Sequence, residues 1–161
     1  MSSTIDGPIV FNDLKIPSTI NLESVGFGKG FYTQERIVFN GTISEDPKQF
    51  KIVLAEGGVN ESNVQLDFTI NFQAKLLRIT TWTVFGGWDG SSVYDNPFRV
   101  GEPFILEFIA TPKDSIDIFV NNEFFKTIYY RKGYNDLNDV SQLYINGFQL
   151  NSLILCPTEN L

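Results

Sequence analysis

Val64-Gln65-Leu66-Asp67-Phe68-Thr69-Ile70-Asn71-Phe72 puts an apolar residue at every second position, with Gln65, Asp67, Thr69 and Asn71 between. Side chains of a strand alternate between its two faces, so this period predicts one face in a core and one toward solvent. Upstream, Phe50, Ile52 and Leu54 alternate with Gln49, Lys51 and Val53, bounded by Ser44-Glu45-Asp46-Pro47 before and Glu56-Gly57-Gly58 after. Ile37 to Ile43 alternates in the same way. Downstream, strands are expected over 76–82, 104–110, 115–120, 124–130, 142–146 and 148–155. Asn121-Asn122 separates two of these as a tight-hairpin signal, because Asn tolerates positive φ. Helical periodicity is confined to one turn near 135–140. Many short strands with regular turns predict an all-β fold, a two-sheet antiparallel jelly-roll sandwich.

Composition agrees. The chain has 161 residues, enough for one domain with a substantial core, and 15 Phe, 6 Tyr and 2 Trp favour strands. A single domain over 1–161 is expected, with the first 15 or so residues, poorly patterned, as a loose arm. The net charge of −7 argues against nucleic acid and against docking on anionic lipid, both of which need clustered Lys and Arg. No stretch approaches the length of an apolar membrane span, so no membrane insertion is expected. The one cysteine, Cys156, has no internal disulfide partner. With no signal-peptide pattern at the N-terminus, the expected location is cytoplasmic, or outside the cell after export without a signal peptide. Asn40-Gly41-Thr42 and Asn60-Glu61-Ser62 match the glycosylation sequon and are read as chance matches.

Most catalytic chemistry is missing. The chain contains no His, which removes the commonest general base, the Ser-His-Asp and Cys-His arrangements and most transition-metal sites. One Cys cannot build a thiolate zinc site. Gly26-Phe27-Gly28-Lys29-Gly30 lacks the phosphate-loop spacing and is read as a turn between strands. The acidic residues show no tight Glu-x-Asp-x-x-Glu strand pattern. A non-enzymatic protein with no metal and no cofactor is therefore expected.

From Ile37 to Leu155 the chain resembles the galectin family of β-galactoside-binding lectins. Pro97-Phe98-Arg99-Val100-Gly101-Glu102-Pro103-Phe104 matches the family's Pro-Phe-x-x-Gly-x-x-Phe run, with Leu106 and Phe108 continuing its strand. Ile116, Ile118, Val120 and Asn121-Asn122 match the next strand and its hairpin turn. Tyr130 and Arg131 fall at the family's His-Arg pair, and Leu143, Ile145, Gly147, Leu150 and Leu153 fit the closing strands. The resemblance implies a galectin- or concanavalin-like sandwich that binds carbohydrate. It also locates the sugar site. At the positions of the family's His-x-Asn-x-Arg stand Asp67, Thr69 and Asn71, and Thr80 stands for the next strand's Asn. The Glu and Arg that follow the family's Trp are missing, with Ser91, Ser92, Val93 and Tyr94 in that stretch. Trp88 matches the indole that stacks on galactose.

Period two, independently of any family, puts Asp67, Thr69 and Asn71 on the solvent face, with Arg78 and Thr80 sharing a parity on the next strand and Lys51 outward on the strand before. The candidate carbohydrate-binding residues are thus Trp88, Asp67, Asn71, Thr69, Thr80, Arg78 and Lys51. Such a patch suits sugars, since amides and carboxylates pair with hydroxyls and an indole covers a C–H face. The plain alternative is that the outer face of any sandwich is polar. Two functions follow: a carbohydrate-binding module of altered glycan preference with a glycan or glycoprotein partner, or a galectin-fold module that has lost sugar and binds a protein partner. A homodimer stays open.

Overall fold

The computed structural model describes residues 7–47, 49–57, 63–83, 87–88, 92–112, 115–129 and 137–157. In chain order its strands are β1 (Ile9–Phe11), β2 (Ser18–Asn21), β3 (Arg36–Thr42), β4 (Gln49–Ala55), β5 (Val64–Asn71), β6 (Leu76–Thr83) and β7 (Gly87–Trp88). They continue with β8 (Ser92–Asp95), β9 (Pro103–Thr111), β10 (Ser115–Val120), β11 (Glu123–Tyr129), β12 (Gln142–Asn146) and β13 (Gln149–Cys156). One sheet runs β1-β13-β3-β9-β10-β11, the other β2-β12-β4-β5-β6-β7, with β8 also paired to β6. Every pairing among the described residues is antiparallel. The one helical element described is a single 3-10 turn, Leu137–Asp139, inside the segment expected to turn. None of the described helices is long and apolar enough to cross a membrane.

The alternation does what the sequence predicts. β3, β4 and β9 bury every second residue, and Leu66, Phe68, Ile70, Phe104, Leu106, Ile118 and Leu150 all lie in the core. The phenylalanines fill the space between the sheets. Phe50 of β4 has its ring centroid 4.3 Å from that of Phe148, 5.3 Å from Phe98, 5.6 Å from Phe104 and 5.9 Å from Phe68. Phe68 of one sheet meets Phe108 of the other at 5.7 Å. Aromatic pairs at these separations add to the burial of their large surfaces.

Turns supply the register. Asn121 and Asn122 have φ of 51° and 69°, the hairpin geometry expected of them. In the Pro97–Phe104 run, Phe98 enters the core while Gly101, at φ 79°, donates its N–H to the Ile43 carbonyl at 2.9 Å. Gly147, at φ 95° between β12 and β13, is tighter still, since a Cβ there would stand 1.7 Å from the Gln49 carbonyl oxygen. Gly147→Ala is expected to cost about 2–3 kcal/mol, from positive-φ strain and the forced shift of backbone. Urea denaturation, read as a lower midpoint at unchanged slope, checks it.

Three expectations change. Residues 9–11, placed in a loose arm, form β1 on the edge of β13, and Ile9, Phe11 and Leu14 pack against the core. β2, which no alternation signalled, pairs with β12. The third change is a β-bulge in β5. Val64 pairs with Ala55 and Trp82, whereas Leu66 pairs with Leu54 and Asp67 with Thr80. The extra residue flips the alternation, so Val64 shares a face with Ala55 and Trp82 instead of with Leu66. Gln65, expected on the solvent face, is fully buried, with its amide nitrogen 3.5 Å from a Glu56 carboxylate oxygen. The sequon at Asn60 lies outside the described residues. That at Asn40 lies within β3, where the Asn40 amide donates to the Ser152 hydroxyl at 2.9 Å.

Candidate functional site

Antiparallel partners project their side chains from the same face of a sheet. The register of β4, β5, β6 and β8 therefore builds three rows on the outer face of the second sheet. They are Val53–Asp67–Thr80, Lys51–Thr69–Arg78–Val93, and Gln49–Asn71–Leu76–Asp95. Six of the seven candidates, Asp67, Thr69, Asn71, Thr80, Arg78 and Lys51, come together on this face. Trp88 lies in β7 with its backbone opposite Trp82, at the end of the same sheet. The Trp88 side chain lies outside the described residues, as do Tyr130 and Arg131.

The centre of the face is an ion pair. Lys51 Nζ donates to Asp67 Oδ2 at 3.3 Å, and the Thr69 hydroxyl donates to Asp67 Oδ1 at 2.5 Å. Asp67 was expected to face solvent freely. It is only 9% exposed, because the lysine stem and the threonine cover it. Its two oxygens hold the lysine and the hydroxyl in place, so the carboxylate organises the face more than it reads a ligand. Removing it leaves the half-covered ammonium and hydroxyl without their acceptor. Asp67→Ala is expected to cost about 1–2 kcal/mol, and Lys51→Met less than about 1 kcal/mol, since Lys51 is partly solvated. Thermal melts of the two variants check that order.

Around this pair the groups differ in what they have left to offer. Arg78 is exposed and makes no salt bridge among the described residues, with Asp95 two positions along the neighbouring strand. Asn71 accepts the Ala74 N–H at 3.0 Å and so closes the β5–β6 turn, where Lys75 has φ 60°. Its amide nitrogen makes no hydrogen bond among the described residues and stays available for a ligand. Thr80 is 9% exposed, and its hydroxyl, like that of buried Thr81 beside it, has no hydrogen-bond partner among the described residues. Each such orphan costs about 1–3 kcal/mol, an expense that only a ligand, water or a change of rotamer offsets. Sequence reasoning missed Val93 and Leu76, which are 47% and 39% exposed on the same face. Leu76 has the parity of Arg78 and Thr80 and was legible from it, whereas Val93 was not, because β8's register is set by pairing with β6. Among the described residues no group of three His, Cys, Asp or Glu is arranged to hold a metal ion.

The comparisons with known proteins agree with this geometry. The galectin LEC-6 of Caenorhabditis elegans superposes with a TM-score of 0.76 at 22% identity, over 91% of this chain and 95% of that one. Sheep galectin-11, solved in complex with glycerol, superposes with a TM-score of 0.72 at 17% identity, over 88% of this chain and 98% of that one. At such identities these likenesses establish the fold. No curated protein matches the chain by sequence. The galactoside-binding lectin family profile, by contrast, matches residues 24–154, which span β3 to all but the end of β13 and include every candidate site residue, and the chain belongs to that family of carbohydrate-binding lectins, the galectins.

Proposed function

We propose that this chain is a glycan-binding module whose outer β4–β6 face prefers something other than an ordinary β-galactoside, and that it performs no catalysis. The observation that carries the reading is the joining of Lys51, Asp67 and Thr69 into one pre-organised polar patch, with exposed Arg78 opposite Thr69, on the strands that lead to Trp88. Lys51 pairs with Asp67, so the patch presents the Arg78 guanidinium, a hydroxyl and the Asn71 amide to a ligand, with exposed Asp95 at its edge as the carboxylate left over. The galactoside-reading polar set of the family is replaced at each of Asp67, Thr69, Asn71 and Thr80. A site built for particular hydroxyls loses affinity steeply when its donors are gone, because the ligand's groups go unpaired. Lactose is therefore expected to bind with a dissociation constant weaker than about 1 mM, equivalent to roughly −4 kcal/mol. Isothermal titration with lactose tests that, and a glycan array finds the preferred sugar. A lactose constant tighter than about 1 mM would show that the altered face still reads galactosides.

One observation favours a second reading, that the face binds a protein partner. Val93 and Leu76 stand exposed beside Arg78, and a mixed apolar and cationic surface suits a protein contact. An empty glycan array together with specific capture of one partner, lost in Arg78→Glu and Val93→Asp, would select this reading. In either case the proposed partners exclude nucleic acid, given the net charge of −7.

A further inference from the structure

Where the edges of the two sheets approach, β6 and β8 on one side and β11 on the other enclose a cleft of about 220 Å³. Its polar walls are Thr80 and Thr81 of β6, Ser92 and Tyr94 of β8, and Thr127 and Tyr129 of β11. Among the described residues lining it none is charged, although Asp117 and Lys126 each contact a lining side chain, Thr127 and Tyr94 respectively. Volume alone leaves room for roughly seven waters at ~30 Å³ each, more than a single structural water requires.

The chemistry of the walls is unusual for a sandwich edge. Thr81 has the inward parity of Leu77 and Ile79, which are core residues, and it is 4% exposed. Valine would fill its volume without a hydroxyl, yet here a hydroxyl lies buried without a partner among the described residues. The same holds for Thr80. A step of about 120° in χ1 exchanges a threonine's hydroxyl with the site of its methyl or hydrogen, so the inward Thr81 hydroxyl can turn toward the cleft. Thr127 already donates to Asp117 at 2.6 Å and keeps lone pairs to accept with. The face of Tyr94 is taken by Lys126, whose Nζ lies 5.2 Å from the ring centroid. Tyr129, 71% exposed, stands open at the side. Thr80 also closes the Asp67 row of the outer face, so the cleft and the candidate sugar face share a wall.

We propose that this edge cleft is a second carbohydrate subsite, taking a neutral pyranose or other small polyol, reached from the outer face around β6. Uncharged hydroxyls from three strands pair with ligand hydroxyls as donors and acceptors, and the tyrosine ring covers a C–H face. The ligand class rests on the outer-face reading.

An amide-detected NMR titration of the full chain with D-galactose, and separately with glycerol, tests it. The expected result is saturable shifts at the Thr81, Ser92 and Ile128 amides that persist in Trp88→Ala. Thr81→Val and Ser92→Tyr, the second at an exposed position that tolerates bulk, should each weaken that binding at least fivefold. Shifts at these amides that fail to saturate with either probe, or that both variants leave unchanged, would overturn the subsite. So would a higher melting temperature in Thr81→Val without any saturable shift, since the cleft would then hold only water. Saturable shifts confined to Thr69 and Arg78 would overturn the cleft and leave the outer-face reading standing. Shifts confined to the cleft would support the subsite and remove the outer-face reading instead.

Discussion

Phe50→Ala is expected to destabilise the fold by about 3–5 kcal/mol, a large fraction of the margin that holds a small domain together. Phe50 is fully buried in β4, and its ring meets Phe68 on its own sheet, Phe104 on the facing sheet, and Phe98 and Phe148 from the turns. Truncation removes the transfer energy of the ring and opens a cavity. Its rim is built of rings fixed on both sheets, which cannot all move inward together, so the cost should fall at the upper end of the range. Phe124→Ala is the control. Phe124 is 58% exposed on edge strand β11, where it touches Phe119 edge-on at 5.7 Å, so its loss should cost less than about 1 kcal/mol. Urea unfolding of both variants makes the comparison. Equal losses would mean that the core does not centre on Phe50.

The strands of this sandwich are legible because each carries its own alternation: residues 66–71 of β5, β4 and β9 declare their buried faces without knowledge of their neighbours. What could not be read is whatever depends on pairing. β1 has three residues and β2 a single buried apolar side chain, Ile20, so neither has a period to show. They are held by β13 and β12, strands that arrive more than a hundred residues later. The bulge at Gln65 is hidden for the same reason. Nothing in Val64-Gln65-Leu66 marks an extra residue, which shows only as a changed register against Ala55 and Trp82. The candidate site divides along this line. Parity sufficed to gather Asp67, Thr69, Asn71, Arg78, Thr80 and Lys51 on one face. That Lys51 would reach Asp67 depends on which residues of β4 and β5 lie opposite one another, and no period contains that.

Trp88→Ala should weaken glycan binding at least tenfold, about 1.4 kcal/mol or more, while moving the unfolding midpoint little. The argument starts from what the rest of the face has to offer. Asp67 is committed to Lys51 and Thr69, and Asn71 Oδ1 to the Ala74 N–H, so few polar groups remain to hold a sugar. With so few hydrogen bonds, affinity has to come from burying a sugar's C–H face, and an indole is the side chain best suited to that. The resemblance to the family matches Trp88 to its stacking position, and β7 pairs the Trp88 backbone with that of Trp82 at the end of β6. A stacked indole loses water, so intrinsic fluorescence should shift on addition of the glycan selected by an array, and the shift should vanish in Trp88→Ala while Trp82→Phe keeps it. Arg78→Gln gives the accompanying specificity. Because Lys51 is paired with Asp67, Arg78 is the cation of the three rows left to meet an acidic group, and its removal, which leaves exposed Asp95 uncompensated, should weaken acidic glycans more than neutral ones. A glycan that binds Trp88→Ala as tightly as the parent protein would move the binding surface away from this end of the sheet. Loss of stability in Trp88→Ala without loss of affinity would make the indole a packing residue.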